Sequence, residues 1–193
     1  MLSPYKGNFR VTSIQGPRWG KMHQGLDMVG TDKNIYAVAA GVVVVSSIIT
    51  DKNNPAWAFG NRVMVRGDDG KYIMYNHLSR RTVSQGQRVE VGTQVGVEGG
   101  TGNCVPAGAS HLHIELRDRQ GSPYTALPIA PYLGIPNAVM YHTAKEEDTI
   151  DSVLKKIADK AKFDQPAAAI TAMKTLRHRF PKDFWDKIYR AMT

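Results

Sequence analysis

All 18 glycines of the 193-residue chain fall before residue 135, and this partition constrains the fold more than any other feature of the sequence. Glycine supplies the positive-φ turns and bulges of a sheet and weakens helix interiors, so residues 1–136 are predicted to form a β domain. Runs rich in Val, Ile and Tyr agree, at 8–15, 36–49, 62–66, 71–78, 88–97 and 111–117. Gly67-Asp68-Asp69-Gly70 sits between two of these runs and reads as a hairpin turn. No stretch in this region sustains a 3.6-residue period.

Pro123, Pro128, Pro131 and Pro136 then remove backbone donors in succession and mark an irregular seam, after which 137–147 is expected to be a linker. Beyond it the period changes. Ile150, Val153, Leu154, Ile157 and Ala161 form a helical stripe with Asp148 as N-cap. Two more helices are expected to open at Pro166 and Pro181, the last with Phe184, Trp185, Ile188 and Tyr189 on one face. The fold expected is therefore mainly β, an antiparallel sheet domain with a small three-helix C-terminal appendage at 148–193. So few residues make a marginal core, and the appendage is expected to pack as a cap, with wall binding as the alternative role.

Composition excludes several classes. The single cysteine, Cys104, rules out an internal disulfide framework, and no apolar run approaches the eighteen or more residues of a membrane span. Formal charge is +8, spread over both parts of the chain, which points to an anionic partner or surface. No basic run is interleaved with stacking aromatics, so a specific nucleic acid is not expected.

Four of the six histidines lie in the β region, as His23 and Asp27 in one segment, His77 in a second, and His111-Leu112-His113 in a third. Residues i and i+2 of a strand share a face, so His111 and His113 project together, away from Leu112 and Ile114. Taken singly, each motif is weak: a His-x-His pair is more often solvated or core, and His77 alone reads as a core histidine. Jointly they offer the imidazoles and carboxylate that zinc takes when three protein ligands leave one position open.

The motifs also occur in a recognisable order. His23-x-Gly25-x-Asp27, Ala39-Ala40-Gly41-Val42-Val43, Gly60-Asn61-x-Val63, Tyr75-x-His77-Leu78-Ser79, Gly99-x-Thr101-Gly102 and His111-Leu112-His113-x-Glu115-Leu116 succeed one another between Asn8 and Pro136. In this the chain resembles the lysostaphin-like zinc metalloendopeptidases, a family of peptidoglycan hydrolases. The resemblance implies one Zn2+ held by His23, Asp27 and His113, with His77 and His111 as catalytic histidines. It favours His111 as general base and His77 as transition-state stabiliser, and leaves the reverse open.

Two departures stand out. Gln15 occupies the place where the family usually has an aromatic residue, and the segment 103–110 before the histidine pair is longer than the usual Gly/Ser linker. Cys104 could close the metal site as a fourth ligand, but a closed site forbids hydrolysis, so it is expected to be a loop thiol. His142 and His178 are expected at the surface.

The resemblance implies a zinc endopeptidase acting on the stem or cross-bridge of bacterial peptidoglycan, expected as a monomer, with the positive charge serving approach to the wall. The alternative is a non-catalytic wall-binding or hydrolase-regulating module. The first residues lack the apolar segment of a secretory signal, from which a phage endolysin or tail-associated lysin is expected, or a secreted chain whose leader has been removed.

Overall fold

A computed structural model describes residues 3–144. The helices expected at 148–193, and His178 with them, lie outside the described residues.

The strands are β1 (Gly7–Ser13), β2 (Gly16–Arg18), β3 (Lys21–His23), β4 (Leu26–Gly30), β5 (Asn34–Tyr36), β6 (Gly41–Ser47) and β7 (Arg62–Gly67). They continue as β8 (Tyr72–Asn76), β9 (Arg80–Arg81), β10 (Arg88–Val89), β11 (Gln94–Val97), β12 (Leu112–Arg117), β13 (Ala126–Leu127) and β14 (Tyr141–Ala144). A 3-10 turn spans Trp57–Phe59, and one short helix, α1, spans Ile129–Leu133. The architecture is mainly β, with every strand pairing antiparallel.

The large sheet runs in the order β10-β6-β7-β8-β12-β4-β1-β14, with β13 added beside β12. A smaller sheet, β5-β11-β9, and the ribbon β2-β3 complete the domain. The alternation on β12 sets the two faces of the large sheet. Leu112, Ile114 and Leu116 enter the core with Leu26, Met28, Val65, Ile73 and Tyr75, and Ile35, Val95, Ile129 and Leu133 pack into the same cluster. His113, Glu115 and Arg117 necessarily point to the other face.

The hairpin expected at 67–70 joins β7 to β8, closed by Gly67 N–H donating to Lys71 O at 2.8 Å. The sheet also runs past the expected boundary. Residues 137–147, expected as a linker, supply β14, which pairs with β1 from Gly7↔Ala144 to Arg10↔Tyr141. Once the last proline of the seam is passed, every residue again has an N–H to give to a ladder, and Tyr141 to Ala144 alternate exposed and half-buried. His142, expected at the surface, is accordingly half-buried and stacks on Phe9 with ring centroids 5.0 Å apart. The run at 88–97 is broken into β10 and β11 by a turn in which Thr93 N–H donates to Glu90 O at 3.0 Å. The strand of greatest consequence that sequence patterning did not show is β4. It lies between β1 and β12 and carries Asp27.

Candidate metal centre

Three elements bring the sequence-predicted ligands together. His23 ends β3, Asp27 is the second residue of β4, and His113 lies on β12 directly opposite Asp27 in the ladder. Gly25 lets β4 leave β3 so close to β12: a Cβ there would collide with Ile114 O and reach Glu115 Cγ at 2.9 Å. His23 Nε2, His113 Nδ1 and Asp27 Oδ1 then form a triangle with edges of 3.1, 2.8 and 3.1 Å. A tetrahedral zinc with bonds of about 2.0–2.1 Å asks for donors about 3.3 Å apart, so one ion fits with little adjustment.

The hydrogen bonds around this triangle assign its tautomers. His23 Nδ1–H donates to Ile14 O at 2.7 Å, which leaves Nε2 as the free lone pair. His113 is turned the other way, its Nε2–H donating to Glu115 Oε1 at 3.0 Å and its Nδ1 facing the triangle. Asp27 is divided as well: Oδ1 faces the histidines while Oδ2 takes Arg18 Nη1 at 3.1 Å. Three acceptors converging this closely need a cation among them, and without a metal a proton serves. Burial alone would push His113 down, but the carboxylates of Asp27 and Glu115 prevail and push it up to about 9. Burial alone would raise Asp27, but its bonds to His113 and His23 hold it well below the usual carboxylate range.

His77 and His111 stand beside the triangle, with ring centroids 4.8 Å apart, and His77 lies 5.8 Å from His113. The last residue of β8 is Asn76, and strict alternation would send His77 to the core face with Tyr75. Instead His77 takes a left-handed φ of 62°, a conformation that costs a non-glycine residue about 1–3 kcal/mol and that turns the ring toward the site. The ring is held by Nδ1–H donating to Thr101 O at 2.8 Å. His111 Nδ1–H likewise donates to Ala109 O at 3.0 Å, so both rings keep Nε2 free. Burial and the charge of His113 push His77 down to about 4.

The hydroxyls of Tyr75 and Tyr36 are committed away from the site. Tyr75 is fully buried and its hydroxyl accepts from Val38 N–H at 2.9 Å, while Tyr36 donates to Asp32 Oδ2 at 3.3 Å. Gln15, which stands in the family's aromatic position, is a cross-tie: its Nε2 donates to Gln24 O and Leu127 O, and its Oε1 accepts from Ile129 N–H. Sequence reasoning gave no role to Arg18, Glu98, Thr101 or Glu115, although Thr101 and Glu115 lay inside quoted motifs. Glu98 has a fully buried side chain that accepts from Tyr5 Oη, Gly30 N–H, Lys33 Nζ and Ser110 Oγ at 2.6, 3.0, 2.7 and 2.8 Å. It thereby ties the end of β4 to the residue before His111.

Comparison with known proteins bears on this geometry. The family model described as Peptidase family M23 matches residues 21–125, a span that includes all five site residues. The chain belongs to peptidase family M23. Among M23 relatives, the peptidoglycan DD-endopeptidase ShyA of Vibrio cholerae serotype O1 is 30% identical over 165 residues, covering 79% of this chain and 35% of ShyA. The DD-carboxypeptidase/endopeptidase Mpg of Neisseria meningitidis serogroup B is 30% identical over 162 residues, 79% of this chain and 36% of Mpg. The chain thus spans about a third of the length of these relatives. Among solved structures, the catalytic domain of the prophage-encoded M23 protein EnpA from Enterococcus faecalis matches with TM-score 0.54 and 27% identity, covering 65% of this chain and 93% of that one. The catalytic domain of the antimicrobial peptidase lysostaphin from Staphylococcus simulans matches with TM-score 0.53 and 25% identity, covering 64% and 90%. Among the described residues, no helix of this M23 protein is long and apolar enough to cross a membrane.

Proposed function

We propose that the chain is a zinc-dependent endopeptidase that cuts peptide bonds in bacterial peptidoglycan, with the DD cross-link as its preferred bond. The observation that carries the reading is the triangle of His23 Nε2, Asp27 Oδ1 and His113 Nδ1, flanked by two further imidazoles whose Nε2 atoms are free. Preference for the cross-link draws support from ShyA and Mpg, whose names carry DD-endopeptidase activity. The phage setting expected from the sequence draws support from the likeness to prophage-encoded EnpA.

Held by His23, Asp27 and His113, zinc would supply a Lewis acid for the scissile carbonyl and raise the acidity of the attacking water. The protein's own groups do the rest. His77 is neutral at working pH, because burial and the neighbouring charge disfavour its imidazolium, and with Nδ1–H held by Thr101 O its Nε2 lone pair is available to that water; it is assigned as the proton acceptor. The same preference for neutrality makes it a poor N–H donor to a developing oxyanion. His111, whose Nε2 is likewise free and lies 3.7 Å from Asp27 Oδ1, is assigned to stabilise the oxyanion and serve the leaving amine. Of the two role assignments the sequence left open, this is the reverse of the one the resemblance favours. Arg18 and Glu115 keep Asp27 and His113 turned to the centre.

The test is digestion of purified sacculi from several wall types by the zinc-loaded protein, read by mass spectrometry. New peptide termini, abolished by a chelator and restored by zinc, are expected. Absence of peptide-bond cleavage in every wall type overturns the proposal.

A further inference from the structure

The residues around the centre form two sets of potential ligands. One is the triangle already described; in the other, ligand atoms of His77, Cys104 and His111 all lie within 4.8 Å of one another. Cys104 therefore groups with the two catalytic histidines and not, as a fourth ligand, with the first ion. All three side chains are largely withdrawn from solvent, His77 and Cys104 at 6% and 5% exposure and the His111 side chain at 15%. Because Thr101 O and Ala109 O hold the two Nδ1–H groups, each ring presents Nε2, the atom a metal needs deprotonated. Thr101 also anchors the thiol, its carbonyl lying 3.5 Å from Cys104 Sγ, so one carbonyl oxygen positions two of the three donors. Two imidazoles and a thiolate with a fourth position open make a donor set suited to zinc and to softer divalent ions.

We propose that His77, Cys104 and His111 hold a second zinc ion beside the first, and that filling this second site switches the peptidase off. Binding exchanges the Cys104 S–H bond for an S–metal bond and releases the proton to solvent. The ion takes both Nε2 lone pairs, so neither histidine can then accept a proton or serve a leaving amine. The first ion, with one carboxylate, retains net positive charge, so the second binds against repulsion that the thiolate only partly offsets. The first site therefore fills before the second. Cys104 is not itself a competing nucleophile: burial and the charge of Asp27 push its thiol up to about 11.

The metal count stands apart from the catalytic reading, whereas the switch rests on it. The experiment strips the full chain with a chelator, then titrates it with Zn2+, reading bound metal per chain, and in parallel with Co2+, reading the near-ultraviolet thiolate-to-cobalt band. Two equivalents are expected, the second weaker, with the cobalt band growing only with the second; Cys104→Ser should bind one equivalent without the band. Sacculus cleavage should rise with the first equivalent and fall at least tenfold with the second, and in Cys104→Ser should rise and stay. Saturation at one equivalent, a band that grows with the first, or two equivalents in Cys104→Ser would each overturn the site. The cobalt band on the unmodified chain decides this without any variant. Full cleavage with both sites occupied would overturn the switch. Absence of cleavage at every zinc level would count against the peptidase reading, and the metal count would still decide the site.

Discussion

His113 and Glu115, two residues apart on one face of β12, are joined by a 3.0 Å hydrogen bond from Nε2–H to Oε1, and the other oxygen of the same carboxylate accepts from Arg117 Nε at 2.7 Å. The relay is buried: Glu115 is 1% exposed and Arg117 4%. It commits one nitrogen of His113 and leaves the other facing His23 Nε2 and Asp27 Oδ1.

If that relay orients the ligand, Glu115→Gln should lower zinc affinity by about tenfold to a hundredfold, as loss of a carboxylate behind a metal-bound histidine does elsewhere. Competition against a chelator of known affinity measures it. An unchanged affinity would show that the strand alone sets the angle of the ring.

Ligands and catalytic groups should separate on substitution. His113→Ala is expected to lose both zinc and peptidase activity. His77→Ala should keep its zinc and lose activity by about 10²–10⁴-fold, the usual contribution of a positioned proton acceptor. Metal analysis of the two purified variants, beside sacculus cleavage, checks the division.

Stability of the metal-free protein should peak near pH 6.5. His113 is raised from 6.5 to about 9, so its contribution is complete below pH 6.5 and is lost as pH rises through 9. His77 is lowered from 6.5 to about 4, so the folded state resists a proton that the unfolded chain accepts, and stability is lost as pH falls from 6.5 through 4. Zinc takes the place of the His113 proton, so the alkaline limb should flatten on loading. Thermal unfolding across pH, with and without zinc, reads both limbs.

Glu98 gathers four donors with a side chain that has no exposure. Glu98→Ala should cost about 3 kcal/mol or more of folding free energy, because it leaves Tyr5, Gly30 and Ser110 without their acceptor and removes the partner of Lys33. Urea denaturation measures this, and a cost below about 1 kcal/mol would show that water replaces the carboxylate.

Gly25→Ala should prevent zinc binding, since the added Cβ runs into the β12 backbone at Ile114 and forces β4 away from His113. Zinc retention equal to the parent would show that the two strands can separate without opening the triangle.

Much of this was legible in the sequence because it is local or ordered. Glycine placement and the Val, Ile and Tyr runs marked the β character of the described residues. The i, i+2 spacing of His111 and His113 put them on one face, and the succession of motifs led to the family that the match over 21–125 shows. β4 was missed because its alternation, Leu26 and Met28 inward with Asp27 between them, is too short to stand out beside Gly25 and Gly30. β14 was missed because the prolines before it suggested a linker, although they stop short of the strand.

The sequence by itself determined the order of the motifs, the residue types available for chemistry and the family to which their arrangement belongs. Tertiary structure alone decided how those residues meet. His23 and His113 are 90 positions apart in the chain and their nitrogens lie 3.1 Å apart in space. Tertiary structure also decided the left-handed turn that swings His77 out of the strand pattern, the tautomers fixed by Ile14, Ala109, Thr101 and Glu115, and the grouping of Cys104 with His77 and His111. Periodicity reports which face a side chain occupies on its own strand. Distances between strands, and the burial and charge that set each proton's place, exist only once the sheet has closed.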